Sequence, residues 1–147
     1  MAVIAKNRNA RFNFQVLEKF ETGIELTGTE IKSIRANRVA ITEAYVSVRN
    51  NELFLVNAHI PEYKQANRFN HIPKRTRKLL ARKSEIVRMA AATQRHGLTL
   101  IPLSLYFKGR WAKLEVGICR GKAKKDKRDD KAKQEAQREI ARSLKVT

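Results

Sequence analysis

Residues 12–20, FNFQVLEKF, set Phe12, Phe14, Val16 and Phe20 against Asn13, Gln15 and Lys19. A period of two is that of a half-buried strand. Glu21-Thr22-Gly23 reads as a turn, after which Ile24-Glu25-Leu26 resumes extended chain. Gly28 and Thr29 introduce a short helix from Glu30 to Ala36, with Ile31 and Ile34 on one side and Lys32 and Arg35 on another. Strands over 44–50 and 53–60 meet at Asn50-Asn51, and asparagine tolerates the left-handed backbone that a tight hairpin needs. Residues 61–73, PEYKQANRFNHIP, are polar, bounded by prolines and aperiodic, a loop long enough to be functional. A helix is predicted over 84–96, with Ser84 as N-cap, a stripe of Ile86, Met89, Ala90 and Thr93, and Gly97 at C′. Two further strands, 98–107 and 112–119, alternate through Leu103, Leu105, Phe107 and Leu114, Val116, Ile118, with Gly109-Arg110 turning between them.

This pattern is mainly β with helices. About six short strands in hairpin-like pairs, without repeated helical crossovers, fit a small closed barrel better than a βαβ sheet. An OB-like β-barrel is the natural candidate. The body spans 1–119. Beyond Cys119, residues 120–147 hold no aromatic residue and no proline, and their large aliphatics are Ile140, Leu144 and Val146. Such a tail cannot build its own core and is expected to be disordered alone. Ala132, Ala136, Ile140 and Leu144 recur at i+4, so it is a helix in waiting, about 30 Å long over 126–145.

Charge narrows the function. The chain carries 32 Lys and Arg against 14 Asp and Glu, net +18 over 147 residues. Self-repulsion of that size opposes compaction, and its usual counterpart is a polyanion. The body carries +12 and the tail +6, and Lys74 to Lys83, KRTRKLLARK, holds six cations and no acid. One such run reads equally well as a solvated face. Two separate basic regions point to RNA or DNA. A membrane surface competes less well, because no apolar run spans a bilayer and no lipidation motif is present. MAVIAKNRNAR lacks the apolar stretch of a signal peptide, so export is not expected. The lone Cys119 cannot form an internal disulfide and reads as a small core residue in a reducing cytoplasm.

Catalytic chemistry finds no support. His59, His71 and His96 are widely spaced, with no CxxC, HExxH or His/Cys cluster, so no metal or cofactor is expected. Gly117 to Ala123, GICRGKA, has three residues between its glycines and no Ser/Thr after Lys122, which rules out a phosphate-binding loop of the usual kind. There is no GxSxG and no nucleophile with its base. Glu30, an acid among cations, reads as a structural ion-pair partner rather than a catalyst.

Several ordered motifs carry a resemblance. They include Ile4-Ala5-Lys6-Asn7-Arg8 with Ala10-Arg11, Phe20-Glu21-Thr22-Gly23-Ile24, and Leu26 through Arg35 (LTGTEIKSIR). Asn67-Arg68-Phe69-Asn70-His71, Arg75 through Leu80 (RTRKLL), Gly97 through Leu103 (GLTLIPL), and Gly121-Lys122 with Asp126-Lys127-Arg128 follow in order. On these the sequence resembles the SsrA-binding protein family, also called small protein B or SmpB, the bacterial partners of transfer-messenger RNA.

The resemblance implies an OB-fold body with accessory helices and a tail that is disordered when free and helical when bound. The body would bind the tRNA-like domain of transfer-messenger RNA near its elbow. Delivered with elongation factor Tu, the complex would enter the empty A site of a stalled ribosome, and the tail would probe the vacant mRNA channel beyond the decoding centre. This is trans-translation, and a monomer working in the cytoplasm is expected. Glu21, Leu80 and Lys113 match family positions associated with RNA binding. Glu21 repels phosphate, so it would either accept hydrogen bonds from base or ribose or orient a neighbouring cation. Leu80 would pack the basic segment onto the barrel or touch a splayed nucleotide, with plain core packing the alternative. Lys32, Arg35, Arg75, Arg77 and Lys78 are general phosphate-binding candidates, and Gly121, Lys122, Asp126, Lys127, Arg128 and Leu144 match the ribosome-contacting tail.

The chain departs from the family at Phe12, where histidine is usual, and at Ala123 and Lys125, which alter the expected tail contacts. Charge and tail alone fit two other readings: a constitutive ribosomal protein and a nonspecific nucleic-acid chaperone.

Overall fold

A computed structural model describes residues 2–66, 70–122 and 138. The chain order is β1 (Ala2–Lys6), α1 (Arg8–Asn13), β2 (Phe14–Ile24), α2 (Gly28–Ala36), β3 (Tyr45–Arg49), β4 (Glu52–Val56), β5 (Arg77–Leu80), α3 (Lys83–Thr93), β6 (Leu98–Lys108) and β7 (Trp111–Gly121). A single 3-10 turn, Lys64–Ala66, interrupts the long loop.

The seven strands form one antiparallel sheet in the order β1-β6-β7-β2-β5-β4-β3. It curls until β3 comes against β6, which gives the expected barrel. Phe20, Ile34, Leu53, Leu79, Met89 and Leu114 fill its interior. Each large side chain taken fully out of water there contributes about 1.5–3 kcal/mol. A smaller cluster of Ala10, Ile101 and Cys119, with Phe14, Val16 and Leu103 against it, lies on the opposite side of the same strands, beneath α1. Burial pushes the Cys119 thiol up to about 11, as suits a packing residue.

Bulges explain how one strand serves both clusters. Register shifts between Val16 and Glu18 and between Pro102 and Ser104 reverse which face the alternating side chains address. Beyond its bulge, β2 sends Phe20 and Ile24 inward and Lys19, Glu21 and Gly23 outward.

Several expectations are corrected. Glu21-Thr22-Gly23 is not a turn; it is the last stretch of an eleven-residue strand, paired with Lys113 to Glu115. Its alternation survives because the Thr22 hydroxyl, facing inward, donates to the Leu114 carbonyl at 2.9 Å. Phe12 and Asn13 belong to α1 rather than to a strand. Helix α3 starts at Lys83, with Arg82 as its N-cap in place of Ser84, and the Glu85 carboxylate accepts from the Arg82 N–H at 3.2 Å. It ends at Thr93, three residues short of the expectation. On α2, Ile34 is buried but Ile31 is exposed, so the pair does not share a packed face. Strands β1 and β5 were not anticipated.

The hairpin at Asn50-Asn51 is as expected, with φ of 51° and 60° at its two central residues. Gly109, at φ 63°, turns β6 into β7. The GICRGKA segment is strand through Gly121, not a loop. Lys122 continues the attachment, its N–H donating to the Asn13 carbonyl at 3.0 Å. Asp126, Lys127, Arg128 and Leu144, with the expected tail helix, lie outside the described residues.

Candidate nucleic-acid interface

Strand alternation decides what the outside of the barrel displays. On β7, Ala112, Leu114, Val116 and Ile118 face the interior, so Trp111, Lys113, Glu115, Gly117 and Cys119 face out. The α1 cluster covers Cys119, and Leu103 packs over Gly117, where an added Cβ would lie 2.8 Å from its Cδ1. Among the described residues, the other end of the same face, from Glu115 to Trp111, has no such cover.

Across that open half the register aligns Tyr106 of β6, Lys113 of β7, Gly23 of β2 and Leu80 of β5 in one row. Glu21 stands two residues from Gly23 on the same side. Three of the residues singled out in the sequence, Glu21, Leu80 and Lys113, thus share a surface although 92 positions separate the first from the last. Leu80 is 48% exposed, while its neighbour Leu79 is 1% exposed in the core. Plain core packing is therefore the role of Leu79, and Leu80 is a surface residue. Gly23 brings Leu80 close, since a Cβ there would lie 3.4 Å from the Leu80 Cβ.

Glu21 is already engaged. Its Oε2 accepts from the Tyr106 hydroxyl at 2.5 Å and its Oε1 from Lys108 Nζ at 3.3 Å. The Tyr106 bond is the chief reason its pKa lies below the ordinary 4.5; desolvation opposes, and Lys108 and Lys113 add to the lowering. Burial, then the bond to Glu21, raises the Tyr106 phenol, which remains a donor. The geometry matches the second alternative for Glu21, a carboxylate that holds a neighbouring cation, here Lys108.

The remaining cations divide. Lys78 projects from β5 on the same side as Leu80 and pairs with Glu52 at 3.6 Å. Lys32 and Arg35 are exposed on α2, with Lys32 5.9 Å from the Tyr63 ring centroid and Arg35 5.2 Å from that of Phe107. Arg75 is part-exposed and bonds Glu30 through Nη2 at 2.6 Å.

Arg77 is corrected outright: it cannot bind phosphate. It is 0% exposed, and its Nε donates to Glu30, its Nη1 to the Ala58 carbonyl at 3.0 Å and its Nη2 to the Pro73 carbonyl at 3.0 Å. Strand β5 runs Arg77 in, Lys78 out, Leu79 in, Leu80 out, and that alternation takes one cation of the basic run into the barrel. Glu30, also 0% exposed, accepts from Arg75, Arg77 and the Thr27 N–H. It is the structural ion-pair partner that its surroundings suggested. Burial raises its pKa, but the bonds from Arg75, Thr27 and Arg77 outweigh this and leave it below 4.5. Among the described residues no group of His, Cys, Asp and Glu could hold a metal ion, and no helix is long and apolar enough to cross a membrane.

Sequence reasoning missed Tyr106, Lys108 and Trp111. The strand alternation noted for 103–107 and 114–118, extended by a few residues each way, would have put Tyr106, Lys108, Trp111 and Lys113 on one face.

The SmpB protein family model matches residues 4–146. The SsrA-binding protein of Carboxydothermus hydrogenoformans is 52% identical over 144 residues, covering 98% of this chain and 97% of that one. That of Bartonella henselae is 54% identical over 144 residues, covering 97% and 91%. A solved chain from "tmRNA-SmpB: a journey to the center of the bacterial ribosome" superimposes with a TM-score of 0.70 at 40% identity, over 87% of this chain and 94% of that one. Matched over almost its whole length in sequence and through its barrel in structure, the chain belongs to the SmpB family of SsrA-binding proteins.

Proposed function

We propose that the chain is a non-enzymatic RNA-binding adaptor of trans-translation. Its barrel binds the tRNA-like domain of transfer-messenger RNA and, with elongation factor Tu, brings it to the empty A site of a stalled ribosome. Residues 120–147 then probe the vacant mRNA channel, and the protein works as a monomer in the cytoplasm.

The observation that carries the RNA reading is the cross-strand row of exposed Leu80, part-exposed Gly23 and Lys113, and buried Tyr106, with Glu21 spent on Tyr106 and Lys108. Lys113 offers a phosphate contact, and Leu80 offers an apolar contact to an unstacked base. Glu21 fixes the donors beside them. Lys32, Arg35, Arg75 and Lys78 add phosphate contacts that raise affinity without selecting sequence. In the tail, Gly121, Lys122, Asp126, Lys127, Arg128 and Leu144 would meet the ribosome, and an mRNA in the channel would exclude them. Discrimination then comes from contacts available in only one ribosomal state.

The test is binding of the full chain to the tRNA-like domain against random-sequence RNA, beside tagging on stalled ribosomes. Lys113→Glu should weaken selective RNA binding and tagging together. Arg128→Glu combined with Asp126→Arg should spare RNA binding and abolish tagging; equal loss of both would sink the division of labour. A constitutive ribosomal protein would instead stay at one copy per ribosome through high-salt washing.

A further inference from the structure

Trp111 is the only tryptophan in the chain, and it stands 64% exposed at the start of β7. Its surroundings are cationic. Arg110 lies over the indole, 5.3 Å from the ring centroid, and Lys108 is its partner across the β6–β7 ladder. Lys113 is two residues on, along the same outward face.

We infer that Trp111 is a stacking platform for one unpaired RNA base, with Arg110, Lys108 and Lys113 holding the phosphates on either side. The inference rests on the RNA reading above and adds a recognition element to it. Three cations around one open aromatic ring are complementary to a polyanion whose bases have π faces. A continuous duplex keeps its bases stacked on one another, so the platform selects RNA with a splayed nucleotide.

Because Trp111 is the sole tryptophan, its fluorescence reports on this position alone. The full chain would be titrated with the tRNA-like domain and with a fully paired duplex of equal length. Emission should be quenched in step with binding of the tRNA-like domain, and acrylamide should lose access to the indole. The duplex should do neither. Trp111→Ala should weaken binding about tenfold, and Trp111→Phe, which keeps a ring, much less. The side chain is exposed, so both variants should unfold at the wild-type denaturant concentration.

Tight RNA binding with unchanged emission, and wild-type affinity in Trp111→Ala, would overturn the inference while leaving the RNA reading intact. An equal response to duplex would remove the unpaired-base specificity and with it the proposal. Quenching by elongation factor Tu alone would assign the ring to a protein partner. Absence of RNA binding by the wild type would overturn both readings.

Discussion

Glu30 shows how one buried carboxylate organises a region. It lies at the start of α2, out of contact with water, and gathers Arg75, Arg77 and the Thr27 amide around itself. Removing one member of a buried pair leaves the other charge uncompensated, which costs about 3–5 kcal/mol. Glu30→Ala should therefore lose stability on that scale, measured by urea unfolding. Its folded pKa lies below 4.5, so the carboxylate's contribution is present above the unfolded value and lost as pH falls through the folded one. Wild type should consequently lose more stability than Glu30→Gln as pH is lowered below about 4.5, read from urea midpoints at each pH. Glu21→Gln is the contrasting case. It keeps a hydrogen-bond acceptor for Tyr106 but loses the charge that holds Lys108, so RNA affinity should fall while the urea midpoint barely moves. The ion-pair role of Glu30 was legible from its neighbours in the chain. That Arg77 and not Lys78 would be its partner was not, because strand register settles which of two adjacent cations faces inward.

The elements depend on local signals of unequal strength. Thr27 caps α2 with its side-chain oxygen, accepting from the Glu30 N–H at 3.3 Å, while Glu30 accepts in return from the Thr27 N–H at 2.9 Å. Thr27→Ala should cost about 1 kcal/mol in urea unfolding. The loss should be smaller in a Glu30→Gln background, where the reciprocal bond is already weakened. Although the bulge between Pro102 and Ser104, which no period announces, puts Leu103 on the opposite face from Leu105 and Phe107, strands β6 and β7 and the Asn50-Asn51 hairpin were plain in the sequence. Strand β5 was not, since four residues inside a basic run give no period long enough to recognise. It exists because β2 and β4 supply partners on both sides. The supposed turn at Glu21 failed for the same reason: glycine at position 23 accommodates Leu80 across the sheet and breaks nothing.

For the molecule as a whole, a net charge of +18 makes any RNA complex depend steeply on ionic strength. The logarithm of the binding constant should fall linearly with that of salt concentration. Lys113→Ala should reduce the slope by about 0.7–0.9, the share of one phosphate contact. Arg77→Lys should leave that slope unchanged, because the side chain is buried against Glu30, Ala58 and Pro73. The barrel and the outward placement of Lys113 follow from alternation that a reader of the chain can see. The row joining Lys113 to Gly23 and Leu80 arises only when distant strands pair, and no local pattern encodes it.

Strand β7 finally has a mechanical meaning. Trp111 stands at one end, and at the other Gly121 and Lys122 are fastened to β2 and α1. Eleven extended residues span about 33 Å. Hydrogen bonds to β6 and β2 on both sides keep that strut from shortening. The strand is thus a ruler built into the protein. It fixes the separation between the hairpin tip and Lys122, whatever either end is holding. Dyes placed at positions 110 and 122 should report the same distance with and without RNA. Information passing from one end to the other would have to travel as rotation of the entire body.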